Sequence, residues 1–273
     1  MPAQMQTVTS KDGTRIAFWR SGAGAPLVLV HGTSADHIRW APVLPGLEAS
    51  FTVYAVDRRG RGGSGDNANY ALERETEDVA AVVDSIGGPV NVLGHSYGAI
   101  CSLGAALRTT HLSRLVLYEP PLSVDGSNMN PQEPLKKMRE QLAADDRDGM
   151  VATFMTAFVR MPPRELEMMR AAPAWQGRIA AAHTILREVD DESARYSFDP
   201  GKLRNMKTPT LLLQGGDSPA FLKAAVNMLN GQLPDSRIVV MPGQQHAAMN
   251  TAPDLFLQDV LGFLAVPVGA LSA

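Results

Sequence analysis

Continuous apolar runs, most of them ending at a glycine or a charged residue, set the rhythm of the first half of the chain. They are "APLVLVHG" at 25–32, "FTVYAVD" at 51–57, "VNVLGHS" at 90–96 and "LSRLVLYEP" at 112–120. Unbroken runs of this kind suit strands buried on both faces, as in a parallel sheet. Ahead of them, "MQTVTSKDGTRIAFWRSG" reads as two strands around Asp12-Gly13, a hairpin turn signal. Helix-like segments at about 37–49, 70–87 and 97–108 lie between the runs. In the second of these, Leu72, Val79, Val82, Val83 and Ile86 recur at helical spacing and Gly87 supplies a stop. The alternation predicts right-handed crossovers and helices on both faces of a mostly parallel α/β sheet.

From Leu122 to Met206 the rhythm breaks. No strong strand appears, and helices are expected at about 132–145, 148–160, 163–171 and 174–190. Eight of the thirteen methionines, Met129 to Met206, fall here. They suit core filling and also the lining of a pocket, because methionine adapts to irregular surfaces. The sheet pattern resumes with "TPTLLLQGGDSP" at 208–219, a helix at about 219–231, "SRIVVMPG" at 236–243 and a last helix at about 253–264. The tail "VPVGALSA" carries no pattern and is expected to be loose. The expected organisation is a core of residues 1–121 and 207–273 with a helical cap of residues 122–206 inserted into it.

Composition narrows the partners. Over 273 residues the formal net charge is −3, so no basic excess collects phosphates, and nucleic acid is not an expected partner. Arg58, Arg59 and Arg61 form one dense basic cluster, which reads as a solvated turn. Cys101 is the only cysteine, which excludes an intramolecular disulfide and points to a buried structural thiol. The first residues lack the pattern of a signal peptide, and no apolar run approaches the ~18 residues that span a bilayer. A cytoplasmic protein with no membrane partner is expected. No metal-ligand cluster or dinucleotide fingerprint is present, so no cofactor is expected. A homodimer is compatible with the sequence.

The chemistry centres on Gly94-His95-Ser96-Tyr97-Gly98, which falls where a buried strand gives way to a helix. A serine on such a sharp turn is crowded by side chains two residues away on either side, and the glycines relieve this. The turn projects Ser96 Oγ above the carboxyl edge of the sheet and places the next amides at a helix N-terminus. A serine hydroxyl needs a base. Of six histidines, His246 lies in the loop after the last strand, within reach of that edge, and is the expected base. Asp217, after the strand preceding that of His246, is the favoured acid, with Glu119 at the end of the run following Ser96 as its rival. The amides of Tyr97 and Thr33 are the expected oxyanion donors.

These residues resemble the α/β-hydrolase superfamily over nearly the whole chain. The matching segments are "LVLVHGTS" at 27–34, "VYAVDRRGRGGS" at 53–64, "LGHSYGA" at 93–99, "LLLQGGDSP" at 211–219 and "GQQHAAMNTAPDLFLQDVLGFL" at 243–264. The resemblance implies an eight-stranded sheet with a cap between strands six and seven. It also implies the roles of nucleophile for Ser96, acid for Asp217, base for His246, and oxyanion donors for Thr33 and Tyr97. The basic turn is structural in that family. A serine in place of aspartate sets the chain apart from relatives that attack carbon with a carboxylate. The segment "GQQH" replaces a Gly-x-Gly-His found in many relatives. The expected activity is hydrolysis of a carboxylic ester or lactone of a small apolar acyl compound. Trp40, Tyr97, Met249 and Trp175 are expected pocket walls, with Glu119 at the pocket edge. Thioester or C–C hydrolysis, a cofactor-free perhydrolase, and small-molecule binding without turnover are the alternatives.

Overall fold

In the computed structural model, described for residues 3–124, 131–189 and 198–265, eight strands form one sheet. They are β1 (Gln4–Thr9), β2 (Arg15–Gly22), β3 (Ala25–Val30), β4 (Phe51–Val56), β5 (Val90–His95), β6 (Leu112–Tyr118), β7 (Thr210–Gly215) and β8 (Ser236–Met241). The spatial order is β1-β2-β4-β3-β5-β6-β7-β8, antiparallel at β1, β2 and β4 and parallel thereafter. The chain leaves β3 toward β4 and returns on the other side of β3 as β5. Such a reversal opens a crevice at the carboxyl ends of the strands. Register keeps those ends level, with Val30 beside Gly94, His95 beside Tyr118 and Tyr118 beside Leu213.

Helices α1 (Leu44–Glu48), α2 (Leu72–Ile86) and α3 (Tyr97–Ala106) precede the long insertion between β6 and β7. The insertion carries α4 (Gln132–Ala143), α5 (Arg147–Ala157), α6 (Pro163–Ala171), α7 (Ala174–Ala180), α8 (Ile185–Val189) and α9 (Pro200–Arg204). Helices α10 (Ala220–Gln232), α11 (Ala248–Thr251) and α12 (Pro253–Leu264) follow. One face of the sheet buries Val79, Val83, Leu103, Val226 and Leu229 from α2, α3 and α10, and the other buries Leu47, Phe256, Val260 and Phe263 from α1 and α12. Apolar residues on both faces explain why the central strands read as continuous runs. Among the described residues, no helix is long and apolar enough to cross a membrane.

The insertion has its own core of Leu135, Met138, Met150, Phe154, Trp175 and Ile185. Trp175 is therefore a core residue, with Nε1 donating to Asp148 Oδ1 at 2.6 Å. Phe198, Leu203 and Met206 pack with the sheet instead. Met129 and the tail 266–273 lie outside the described residues. Two expected helices are interrupted. Segment 37–49 becomes a 3₁₀ turn, His37–Trp40, and then α1, because Pro42 and Pro45 withhold two amide donors. Segment 174–190 breaks at Ala182–Thr184, where the Thr184 hydroxyl donates to the Ala181 carbonyl at 2.6 Å.

The arginine cluster is not a solvated turn. Arg58, Arg59 and Arg61 are 1%, 0% and 2% exposed, because the turn is covered by α2 and α8, which bring carboxylates to it. Arg58 forks onto Glu75 at 2.8 and 2.6 Å and reaches Glu188 at 2.8 Å. Arg61 also donates to Glu188, and Arg59 forks onto Asp78 at 2.7 Å twice. Burial alone would raise the Glu75 carboxyl, but the Arg58 and Arg61 charges outweigh it and bring it down to about 2. Cys101 is buried, as its small-residue surroundings suggested. Glu188 is the only one of these carboxylates carried by the insertion, so it ties that layer to the sheet. Removing one partner of a buried ion pair leaves an uncompensated charge. Glu188→Ala is expected to destabilise the fold by about 3–5 kcal/mol, read as the loss in unfolding free energy in urea; a loss under ~1 kcal/mol would contradict this.

Candidate active site

Ser96 sits between β5 and α3 with φ 56° and ψ −126°, a backbone region that L-residues rarely occupy. Its N–H donates to the Tyr118 carbonyl at 2.9 Å, which anchors the turn to β6. The flanking glycines are required by backbone rather than by one another's side chains. A Cβ on Gly98 would lie 2.3 Å from the carbonyl oxygens of Val30 and His31. One on Gly94 would lie 2.6 Å from Ala99 Cα, the Gly98 carbonyl and Ser102 Oγ. The amides of Thr33 and Tyr97 have no hydrogen-bond acceptor among the described residues. Tyr97 begins α3 directly after Ser96, and Thr33, in the loop after β3, lines the same cavity as Ser96.

His246 lies in the loop between β8 and α11, held from three directions. Its Nδ1 is 2.7 Å from Glu119 Oε2. Its carbonyl accepts from His95 Nε2 at 2.8 Å. The Tyr118 hydroxyl donates to the Gln245 carbonyl and accepts from the Ala248 amide at 3.1 Å. Glu119 is fully buried, and its other oxygen accepts from the Gly215 amide at 2.7 Å. An ionised carboxylate only accepts, so Nδ1–H of His246 is the donor in this contact.

Asp217 does not hold His246. Its backbone amide donates to the Gln244 carbonyl at 2.9 Å, and the residue is exposed. The physical reason lies one turn earlier: the Gly215 amide is already bound by Glu119, and the chain then bends under the Gln244–Gln245 loop. The carboxylate that ends β6, one methylene longer than aspartate, reaches the imidazole instead. The signal was present in "LVLYEPP", an acid closing a buried strand.

A cavity of ≈ 50 Å³ opens above these residues. Its floor includes Gly32, Thr33, His95, Ser96 and His246, and its roof is Phe154, Met155, Val159, Met161 and Met169 from the insertion. Thr33, expected as an oxyanion donor, thus reaches the cavity, while the expected walls do not line it. Trp40 is fully buried between the sheet and its helices. Met249 is fully buried behind Arg39, whose Nη2 lies 3.0 Å from its sulfur. Trp175 faces the insertion's core, and Glu119 stands behind His246 rather than on the wall. The Tyr97 ring turns away, under the Arg58 guanidinium at 4.7 Å, with its hydroxyl 3.0 Å from that of Tyr70. Sequence reasoning missed Arg39, Arg178 and Glu165, which also line the cavity. Isolated charges in helical segments look like solvated faces, so no sequence signal distinguished them. Among the described residues no group of three or more His, Cys, Asp or Glu side chains is placed to hold a metal ion.

The strand order and the strand–turn–helix that carries Ser96 define the α/β-hydrolase fold. The chain belongs to the alpha/beta hydrolase family, whose model matches residues 27–259. An alpha/beta hydrolase from Sphaerobacter thermophilus is 38% identical, with a TM-score of 0.81 over 95% of this chain and 100% of that one. A 2-(acetamidomethylene)succinate hydrolase from Mesorhizobium japonicum is 24% identical over 252 residues, 89% of each chain. An N-formylmaleamate deformylase from Pseudomonas putida is 31% identical over 156 residues, 53% of this chain and 58% of that protein.

Two histidines around the site are buried in the neutral form. His31 Nδ1 is 2.8 Å from the Gly32 carbonyl and its Nε2 accepts from the Arg58 amide at 3.1 Å. Burial, then the Arg58 and Arg61 charges, holds it well below the ordinary 6.5. Burial, then the neighbouring His246 and Arg39, does the same to His95. The unfolded chain takes up protons at these residues near pH 6.5 and the folded chain does not. Stability is therefore complete above that pH and falls below it, by up to about 1.4 kcal/mol per pH unit for each histidine. Urea unfolding between pH 7.5 and 5 should show this loss, with a shallower slope in His95→Gln; an unfolding free energy flat across the range would contradict it.

Proposed function

We propose that the protein is a serine hydrolase acting on a small acyl compound, a carboxylic ester in the first instance. The observation that carries this reading is the 2.7 Å contact between His246 Nδ1 and buried Glu119, in a loop beside a cavity that also holds Ser96. With Nδ1–H engaged, His246 Nε2 takes the Ser96 proton as Oγ attacks the acyl carbon. The imidazolium that forms is stabilised by Glu119, which stays ionised. The amides of Thr33 and Tyr97 receive the oxyanion. His246 then protonates the leaving group, and water, deprotonated by the same nitrogen, releases the acyl group from Ser96. Nothing beyond the chain and water is needed for this cycle.

An acyl group on nitrogen is the second reading, supported by the deformylase and the acetamido-compound hydrolase among the relatives. It uses the same steps and differs in the leaving group that His246 protonates. The small cavity favours short acyl groups in either case.

A series of p-nitrophenyl esters of increasing chain length tests the reading. Ser96→Ala is expected to lower kcat by about 10⁴-fold or more. Glu119→Gln is expected to cost about 10⁴-fold, because it favours the wrong tautomer of His246. Asp217→Asn, a surface change, should stay within roughly twofold of wild type. Full activity in Ser96→Ala, or a large loss in Asp217→Asn with none in Glu119→Gln, would contradict the assignment.

A further inference from the structure

Arg39 and Arg178 are 8% and 7% exposed, yet neither has the partner that burial of a guanidinium demands. Arg39 donates to Asn250 Oδ1 and lies 3.0 Å from the Met249 sulfur. Arg178 donates to Ser34 Oγ at 3.0 Å. Among the described residues no carboxylate oxygen lies within 4.0 Å of either group. The same chain supplies Arg58, Arg59 and Arg61 with carboxylates at 2.6–2.9 Å or closer. Desolvating a charge without a counter-ion is costly, and here it occurs twice side by side. Burial, then the Arg178 charge, lowers Arg39 to about 9, and burial lowers Arg178 to about 10. Both remain cationic at neutral pH.

Their location gives this charge a purpose. Both line the Ser96 cavity, and both also line a second, adjoining cavity of ≈ 390 Å³ bounded by Ile38, Pro42, Met168 and Pro173. They stand on the wall between the two. We propose that the substrate carries a carboxylate, separate from the bond that is cleaved, which Arg39 and Arg178 bind at this wall. This rests on the serine-hydrolase reading for its turnover.

The charges around the pair favour one carboxylate over two. Glu165 lines both cavities beyond ion-pair distance and repels a second anion. Asp36 acts on Arg178 from farther away, with its side chain engaged by the Ile38 amide at 2.9 Å. Planar guanidinium forks match the planar carboxylate, and the small inner cavity suits a short chain joining it to the acyl carbon. The apolar body expected of the substrate is kept: the roof of Phe154, Met155 and Met161 covers the carbon chain, and the proposal adds an anionic far end.

The test compares mono-p-nitrophenyl glutarate with p-nitrophenyl valerate, which have equal carbon chains, after subtraction of uncatalysed hydrolysis. The ratio of their kcat/KM values is the readout. It is expected to favour the glutarate by roughly 10–100-fold and to fall toward one in Arg39→Gln and in Arg178→Gln. If Arg178→Gln does not fold, Arg178→Lys replaces it, keeping the charge and losing the fork, with a partial fall. A wild-type ratio of one or less overturns the proposal and leaves the hydrolase reading standing, and a high ratio that survives both variants overturns the assignment to these arginines. Calorimetry of monomethyl glutarate on Ser96→Ala separates the two ideas where neither ester is turned over. Saturable binding that weakens about tenfold or more when Arg178→Gln is added would retain the carboxylate site while the hydrolase reading fails. No binding would overturn both.

Discussion

The hydrogen bond between His246 and Glu119 depends on four strands at once. Glu119 must end β6 level with the Ser96 turn that ends β5, and β7 must present the Gly215 amide to its second oxygen. The loop after β8 must then descend far enough to meet it. Tyr118 and His95, the last residues of β6 and β5, grip that loop through its carbonyls at Gln245 and His246. Four parallel strands in fixed register are thus what allows a single imidazole to be aimed. The constraint also explains the local strain, since Ser96 and Glu119 hold positive φ of 56° and 44° where both strands turn sharply at the same edge.

The molecule buries positive charge in two different ways. Beneath the insertion, three arginines are neutralised by carboxylates from α2, α8 and the first hairpin, so that charge contributes to assembly of the layers. Beside Ser96, two arginines are buried against an amide, a thioether and a hydroxyl, which leaves their charge unspent. The physics of desolvation is the same in both places. Only the second arrangement leaves room for something outside the chain to complete it.

Much of the fold was legible because it is encoded locally. Apolar runs buried on both faces mark β3 to β7, and Gly94 and Gly98 mark the turn, since only glycine tolerates the backbone oxygens pressed against those positions. What was hidden depended on distant contacts. Asp217 and Glu119 both follow strands, and either satisfies the chain order serine, acid, histidine. Only the descent of the Gln244–Gln245 loop over Gly215 decides between them. The burial of Arg58, Arg59 and Arg61 depends on carboxylates as far away as Glu188, and in sequence the cluster looks like a surface turn. Trp40 and Trp175 are large enough to fill either a core or a pocket, and the surrounding helices place both in cores. Arg39 and Arg178 are separated by most of the insertion, so nothing in the sequence joins them.

The pairing of His246 with Glu119 is the claim on which the mechanism rests, and it can be observed without substrate. Proton NMR of ¹⁵N-histidine-labelled protein should show a far-downfield imidazole resonance assigned to His246 Nδ1–H, bound to a buried carboxylate. The account predicts that this signal persists in Asp217→Asn and disappears or moves strongly upfield in Glu119→Gln. A signal lost in Asp217→Asn and retained in Glu119→Gln would contradict it.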